Sequence, residues 1–170
     1  RICQSRSIFF GGDNDFLCAT KALKMLEDFL YEAIFIPEGY DKPVPHDIIY
    51  QPELYSFIED FGTQPDDHCL VAEVDGNLVG AVWCRIANNY GHVDNTTPNL
   101  AISLYKEYRS NGIGTRLMTT MLEKLKNMGY GKVSLSVQKA NYALKMYLKT
   151  GFEIIDENDE EFIMMNYLKD

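Results

Sequence analysis

The sequence has no apolar run approaching the ~18–20 residues needed to cross a bilayer, so no helical membrane span is expected in its 170 residues. Its start, Arg1-Ile2-Cys3, lacks the apolar run and small-residue cleavage site of a secretory signal. Paired cysteines are missing too. Cys3, Cys18, Cys69 and Cys84 are scattered with no Cys-x-x-Cys, which suits unpaired thiols in a reducing cytoplasm. His46, His68 and His92 are too far apart for a metal motif, and no metal is expected. Positive charge is short: the formal net charge of −9 argues against a nucleic-acid binder, which needs a basic footprint. Repeats, low-complexity tracts and linkers are absent, so residues 1–170 read as one domain.

What is present is ordinary for a globular chain, 46% hydrophobic and 24% charged. The charge is unevenly spread. Residues 101–150 hold nine Lys or Arg against Glu107 and Glu123, a balance of +7, and the other 120 residues balance at −16. The first stretch suits an anionic ligand and the remainder a cationic one, unless these are simply solvated helix faces.

Residues 2–10 read as a strand, and Asp13-Asn14-Asp15 as a cap before a helix carrying Phe16, Leu23, Leu26, Phe29, Leu30 and Ala33. A proline-broken loop follows. A short helix then starts near Pro52, with Leu54, Phe57, Ile58 and Phe61 on one face and Gly62 at its end. Apolar runs on either side of Asp75-Gly76 predict a hairpin over residues 69–86. An Asn-rich segment leads into the strand Leu100–Leu104. A helix runs from about Gly112 to Met128, a strand over Val133–Val137, and a helix from about Asn141 to Thr150. Two final strands flank Asp156–Glu161. The order predicts an α/β fold: a mixed, mostly antiparallel sheet of about seven strands with helices on both faces.

Arg109-Ser110-Asn111-Gly112-Ile113-Gly114 lies between a strand and a helix start. Glycines allow close backbone approach there, and a helix N-terminus offers unpaired N–H donors, a nest that suits phosphate. A dinucleotide fingerprint is excluded by Leu117 in place of the third glycine, and a Walker loop by the absence of Gly-Lys-Ser/Thr. Taken alone, the six residues equally suit a plain glycine-containing turn.

In context this stretch resembles the GNAT superfamily, whose pyrophosphate loop reads Arg/Gln-x-x-Gly-x-Gly/Ala. The likeness extends upstream through Leu104 to Tyr108, with Lys106 where many members have proline. It extends downstream to Asn141–Phe152, which looks like the family's Asn-x-x-Ala-x-x-x-Tyr-x-x-x-Gly-Phe segment. It covers residues 99–155. The resemblance implies a sheet splayed between its fourth and fifth strands, Leu100–Leu104 and Val133–Val137. It implies acetyl-CoA as cosubstrate, with the pyrophosphate on the amides of Arg109, Ser110, Asn111, Gly112, Ile113 and Gly114. Main-chain groups of Ile102, Ser103 and Leu104 would pair with the pantetheine arm, and Asn141 would contact it or cap its helix. Tyr147 would protonate the departing thiolate, or else be a core aromatic. A phenol near ~10 gives its proton to a thiolate whose thiol titrates near ~8.5 only slightly uphill.

The acceptor side is less legible. An amine must shed a proton before attack, and many relatives have Glu where this chain has Asn99, which cannot be a base. Asn99 can instead orient a water that relays the proton to His92 or Asp94, with Glu73 a further candidate; each is also readable as a surface group. The aromatic and acidic loop around Glu32, Glu38 and Tyr40 reads as a cover for a cationic amine, and Tyr31 and Phe35 read equally as core. The expected function is acetyl transfer to a primary amine of a small molecule or peptide, by direct attack in a ternary complex. A non-catalytic acyl-CoA sensor is the alternative, and a homodimer is left open.

Overall fold

Asp75 and Gly76, with φ of 50° and 81°, turn the chain so that β1 (His68–Val74) folds back on β2 (Asn77–Arg85). Positive φ at both central residues matches the right-handed twist of the flanking strands, hence the hairpin at Asp-Gly. The computed structural model describes residues 16–168; the strand expected over residues 2–10 and the Asp13–Asp15 cap lie outside them.

Four further strands complete the described sheet: β3 (Asn99–Leu104), β4 (Lys132–Gln138), β5 (Glu153–Glu157) and β6 (Glu161–Tyr167). Their order is β1-β2-β3-β4-β6-β5. Every neighbouring pair is antiparallel except β3 and β4, which are joined by the crossover helix α3 (Ile113–Asn127). The β3–β4 pair makes one rung, Asn99 against Ser134, whereas β4 and β6 are in register over seven residues. The sheet is therefore splayed beyond that rung, as expected.

Helices cover both faces. The buried side of α3, including Leu117, Met121 and Leu125, packs with Leu100, Leu135 and Met164 on one face. On the other, Leu26, Phe29 and Leu30 of α1 (Phe16–Ala33) pack with Ala81 and Trp83 of β2. Among the described residues no helix is long and apolar enough to cross a membrane.

The helix expected from Pro52 to Gly62 is cut short. Only Pro52–Tyr55 (α2) is α-helical, although Phe57, Ile58 and Phe61 are buried as read. Arg85 takes the carbonyls of Ser56 (3.2 Å) and Glu59 (2.6 Å), and Asp60 adopts φ 48°, so the chain leaves helical geometry there. The last helix, α4 (Leu144–Lys149), starts three residues later than expected. The Asn141 Oδ1 accepts the Ala143 N–H at 2.9 Å, closing a side-chain turn ahead of the helix.

Candidate active site

Past the rung, β3 presents a row of main-chain groups that β4 does not reach. The Tyr105 N–H donates to Val79 O on the β2 side at 3.0 Å. Polar groups alternate sides along a strand, so those of Ser103 also face β2 while those of Ile102 and Leu104 face the splay. Leu104 O is taken by the Arg109 Nε at 2.8 Å, which leaves the Ile102 and Leu104 N–H groups along the opening. Ser103 does not belong with them. Its main chain is on β2 and its hydroxyl donates to Phe29 O at 2.7 Å, which corrects the expectation that it lines the slot.

The splay runs into the turn before α3. Ser110 (φ 63°) and Gly112 (φ 78°) both sit in the left-handed region, and alternating such residues with right-handed ones turns successive N–H groups to one side. The amides of Asn111, Gly112, Ile113 and Gly114 enter no hydrogen bond among the described residues, as a helix start requires. A Cβ on Gly112 would meet nothing within 4 Å, so the cradle is open there. A Cβ on Gly114 would lie 3.2 Å from Leu104 Cδ1 and 3.3 Å from Met146 Sδ. Gly114 is thus small because β3 and α4 close on it. Arg109 is turned away from the cradle: its amide donates to Lys106 O, and its Nη2 reaches the Glu32 carboxylate and carbonyl, each at 3.2 Å. Its side chain ties the loop to α1, so the expected donor set begins after it.

Asn141 precedes Ala143 by two residues, not the three of the family segment. With its Oδ1 spent on Ala143, its Nδ2 has no partner within the described chain. Tyr147 is 8% exposed and meets Phe152 edge-on at 6.0 Å. Its hydroxyl enters no hydrogen bond among the described residues. Burial, then the neighbouring Tyr142, raises its pKa above that of an ordinary phenol. The same dry surroundings disfavour a thiolate, so the proton match with a departing thiol is not lost.

On the α1 face, residues 86–98 close the foot of the splay. Ser134 Oγ donates to Gly91 O at 2.6 Å, and a Cβ on Gly91 would lie 3.2 Å from Asn99 Cβ, Leu135 Cα and Ser136 N. Sequence reading missed this plug, whose one signal is a lone glycine in an Asn-rich stretch. Asn99 is 0% exposed; its Nδ2 donates to Ala87 O at 3.0 Å and its Oδ1 has no partner. His92 Nδ1 contacts the same carbonyl at 3.1 Å. A carbonyl only accepts, so Nδ1 carries the proton and Nε2 is left as the base-competent nitrogen of the neutral ring. Asp94 fits a base poorly. Hydrogen bonds from Lys132 (2.6 Å), then from Thr96 and Thr97, hold its carboxyl well below the usual carboxylate range. Glu73 stands on β1, two strands from β3. Cys69 and Cys84 are buried, and burial pushes both thiols up, Cys69 to about 12, so neither offers a thiolate nucleophile.

Among curated protein sequences none matches. Solved structures do. The PaiA N-acetyltransferase of Thermoplasma acidophilum, in complex with coenzyme A, superposes with a TM-score of 0.66 at 20% identity over 96% of this chain and 98% of its own. A GNAT-family acetyltransferase from Streptococcus pneumoniae gives 0.63 at 20% identity over 96% and 98%. A putative streptothricin acetyltransferase from Bacillus anthracis, in complex with acetyl coenzyme A, gives 0.52 at 22% over 62% and 64%. At these identities the likeness establishes the fold. The family model for the acetyltransferase (GNAT) family matches residues 21–152, a span that holds the splay, the cradle and Tyr147, and the chain belongs to that family.

Proposed function

We propose that this chain transfers an acetyl group from acetyl-CoA to a primary amine of a small molecule or peptide, by direct attack in a ternary complex. The observation that carries the reading is that two sets of unpaired main-chain donors, Ile102 and Leu104 along the splay and Asn111 to Gly114 at the start of α3, lie at either end of one turn. Such an arrangement suits a long ligand with amide groups at one end and a diphosphate at the other. Acetyl-CoA supplies the activated acyl group. The chain's own residues supply the rest. Asn111 to Gly114 hold the diphosphate, Ile102 and Leu104 the pantetheine amides, and the Asn141 Nδ2 adds one donor. A main-chain N–H on β3 steadies negative charge at the acyl oxygen, and Tyr147 delivers a proton to the departing sulfur. Asn99 orients a water between the acceptor amine and His92, which takes the proton.

Buried, unpaired Cys69 and Cys84 support a cytosolic site of action and give no route through an acyl-cysteine. The test is thermal melting with acetyl-CoA, followed by thiol release across a panel of amines. Acetyl-CoA at ~100 Kd should stabilise the fold by ~2.7 kcal/mol. Stabilisation without turnover on any amine would turn the reading to an acyl-CoA sensor. Neither effect would overturn it.

A further inference from the structure

Three residues converge on one carbonyl beneath the plug. Ala87 O accepts the Asn89 N–H at 3.0 Å and the Asn99 Nδ2 at 3.0 Å, and it meets the protonated His92 Nδ1 at 3.1 Å. Nitrogens that share an acceptor at such distances lie within about 6 Å of one another. The His92 N–H also bonds Asn89 O at 2.9 Å, which closes the turn between them. Gly91, inside that turn, packs so tightly that a Cβ on it would lie 3.2 Å from Asn99 Cβ and from Ser136 N. The cluster therefore stands at the foot of the splay, beside the Asn99–Ser134 rung.

A main-chain bond fixes each asparagine amide the right way round. Asn99 spends its Nδ2 on Ala87 O, so its fully buried Oδ1 is left without a donor. Asn89 is turned the opposite way. Its Oδ1 accepts the Gly91 N–H at 3.3 Å, so its buried Nδ2 is left without an acceptor. His92 adds a second acceptor in Nε2, because Nδ1 holds the ring proton. A buried donor and a buried acceptor that are neighbours, yet not bonded to each other, are the partners an internal water requires.

We propose that Asn89 is a positioning residue: with Asn99 it holds one water against His92 and fixes the direction in which that water passes a proton. The inference rests on the acetyl-transfer reading, and it adds to the Asn99 water the donor that orients it. A water has two hydrogens and two lone pairs. Asn89 Nδ2 occupies one lone pair and Asn99 Oδ1 takes one hydrogen. One lone pair is then left for an ammonium N–H and one hydrogen for His92 Nε2. The ammonium gives its proton to the water as the water passes its free hydrogen to Nε2. The water is restored, the imidazole becomes cationic, and the nitrogen keeps the electron pair that attacks the acyl carbon.

Ethylamine and 2,2,2-trifluoroethylamine are close in size, but only ethylamine is protonated at neutral pH and must lose that proton before attack. Asn89→Ser keeps an oxygen for the Gly91 amide and withdraws the amide donor. With saturating acetyl-CoA, it should lower kcat/KM for ethylamine about tenfold or more beyond any loss for the fluorinated amine, out of the ~10²–10⁴ that a positioned proton transfer is worth. Equal losses for the two amines, or no loss, overturn the role of Asn89 and leave acetyl transfer standing. Thiol release from neither amine in the unaltered protein overturns the relay together with acetyl transfer. A crystal structure of the unaltered protein reads the seat without turnover and without the variant having to fold. An ordered water within ~2.7–3.2 Å of Asn89 Nδ2, Asn99 Oδ1 and His92 Nε2 is expected, and no water there overturns the inference.

Discussion

Tyr147 combines two properties that its sequence motif runs together. The Phe152 N–H bonds Tyr147 O at 3.0 Å and the Gly151 N–H bonds Leu148 O at 3.2 Å, with Gly151 at φ 92°. That is a Schellman stop, and the Tyr147–Phe152 contact is the apolar pair that accompanies it. Tyr-x-x-x-Gly-Phe thus spells a helix end, and only the unpartnered hydroxyl is left for chemistry. Tyr147→Phe should keep the melting temperature and the CoA affinity while kcat falls by up to ~10²–10⁴-fold, read by steady-state rates and calorimetry. The raised pKa keeps the phenol protonated past the ordinary tyrosine range, so no loss of kcat near pH ~10 should trace to Tyr147. Gly112→Ala places its methyl in open space, yet φ 78° strains it by ~1 kcal/mol. It should lower stability by about that amount and weaken acetyl-CoA binding, by urea titration with and without ligand.

At the scale of elements, the stretch between α2 and β1 is held by two polar clusters. Arg85 and Asp67 pair at 3.1 Å with side chains 8% and 0% exposed, and the Asp67 Oδ2 also accepts the Gly62 and Gln64 amides. Asp67→Ala leaves a buried guanidinium without its partner and should cost ~3–5 kcal/mol by urea unfolding. Nearby, Tyr130 donates to Asp66 at 2.5 Å and meets the His68 Nε2 at 3.1 Å. Burial, then the Lys124 charge, lowers the pKa of His68. The unfolded chain then takes up its proton first on acidification, so this contribution holds above the unfolded value of 6.5 and is lost as pH falls below it. His68→Gln should flatten that limb of the stability–pH curve. Neither cluster was legible in the sequence, because each joins residues far apart in the chain. The same holds for Asp94 with Lys132, 38 positions away, and Arg109 with Glu32, 77 away. What could be read was local: the Asp75-Gly76 hairpin, and a helix from about Gly112 to Met128 that is found as α3 over Ile113–Asn127. Ser103 was misplaced because strand parity, not residue type, decides which neighbour its main chain meets.

For the whole molecule, the charge is uneven along the chain: the stretch 101–150, which holds the cradle, balances at +7 and the other 120 residues at −16. Salt should therefore raise KM for acetyl-CoA and for a cationic acceptor together, while kcat changes little. The single β3–β4 rung has a mechanical meaning as well. Among the described residues, two three-stranded leaves, β1-β2-β3 and β4-β6-β5, are stitched to one another at the sheet level only at Asn99–Ser134, where the Ser134 N–H reaches Pro98 O at 2.9 Å. A sheet stitched at one point can hinge, and a ligand lying along both leaves takes the place of the missing rungs. The Ser134 amide is then a strain gauge for that hinge: its hydrogen exchange should slow when acetyl-CoA binds, although the cradle lies at the far end of β3.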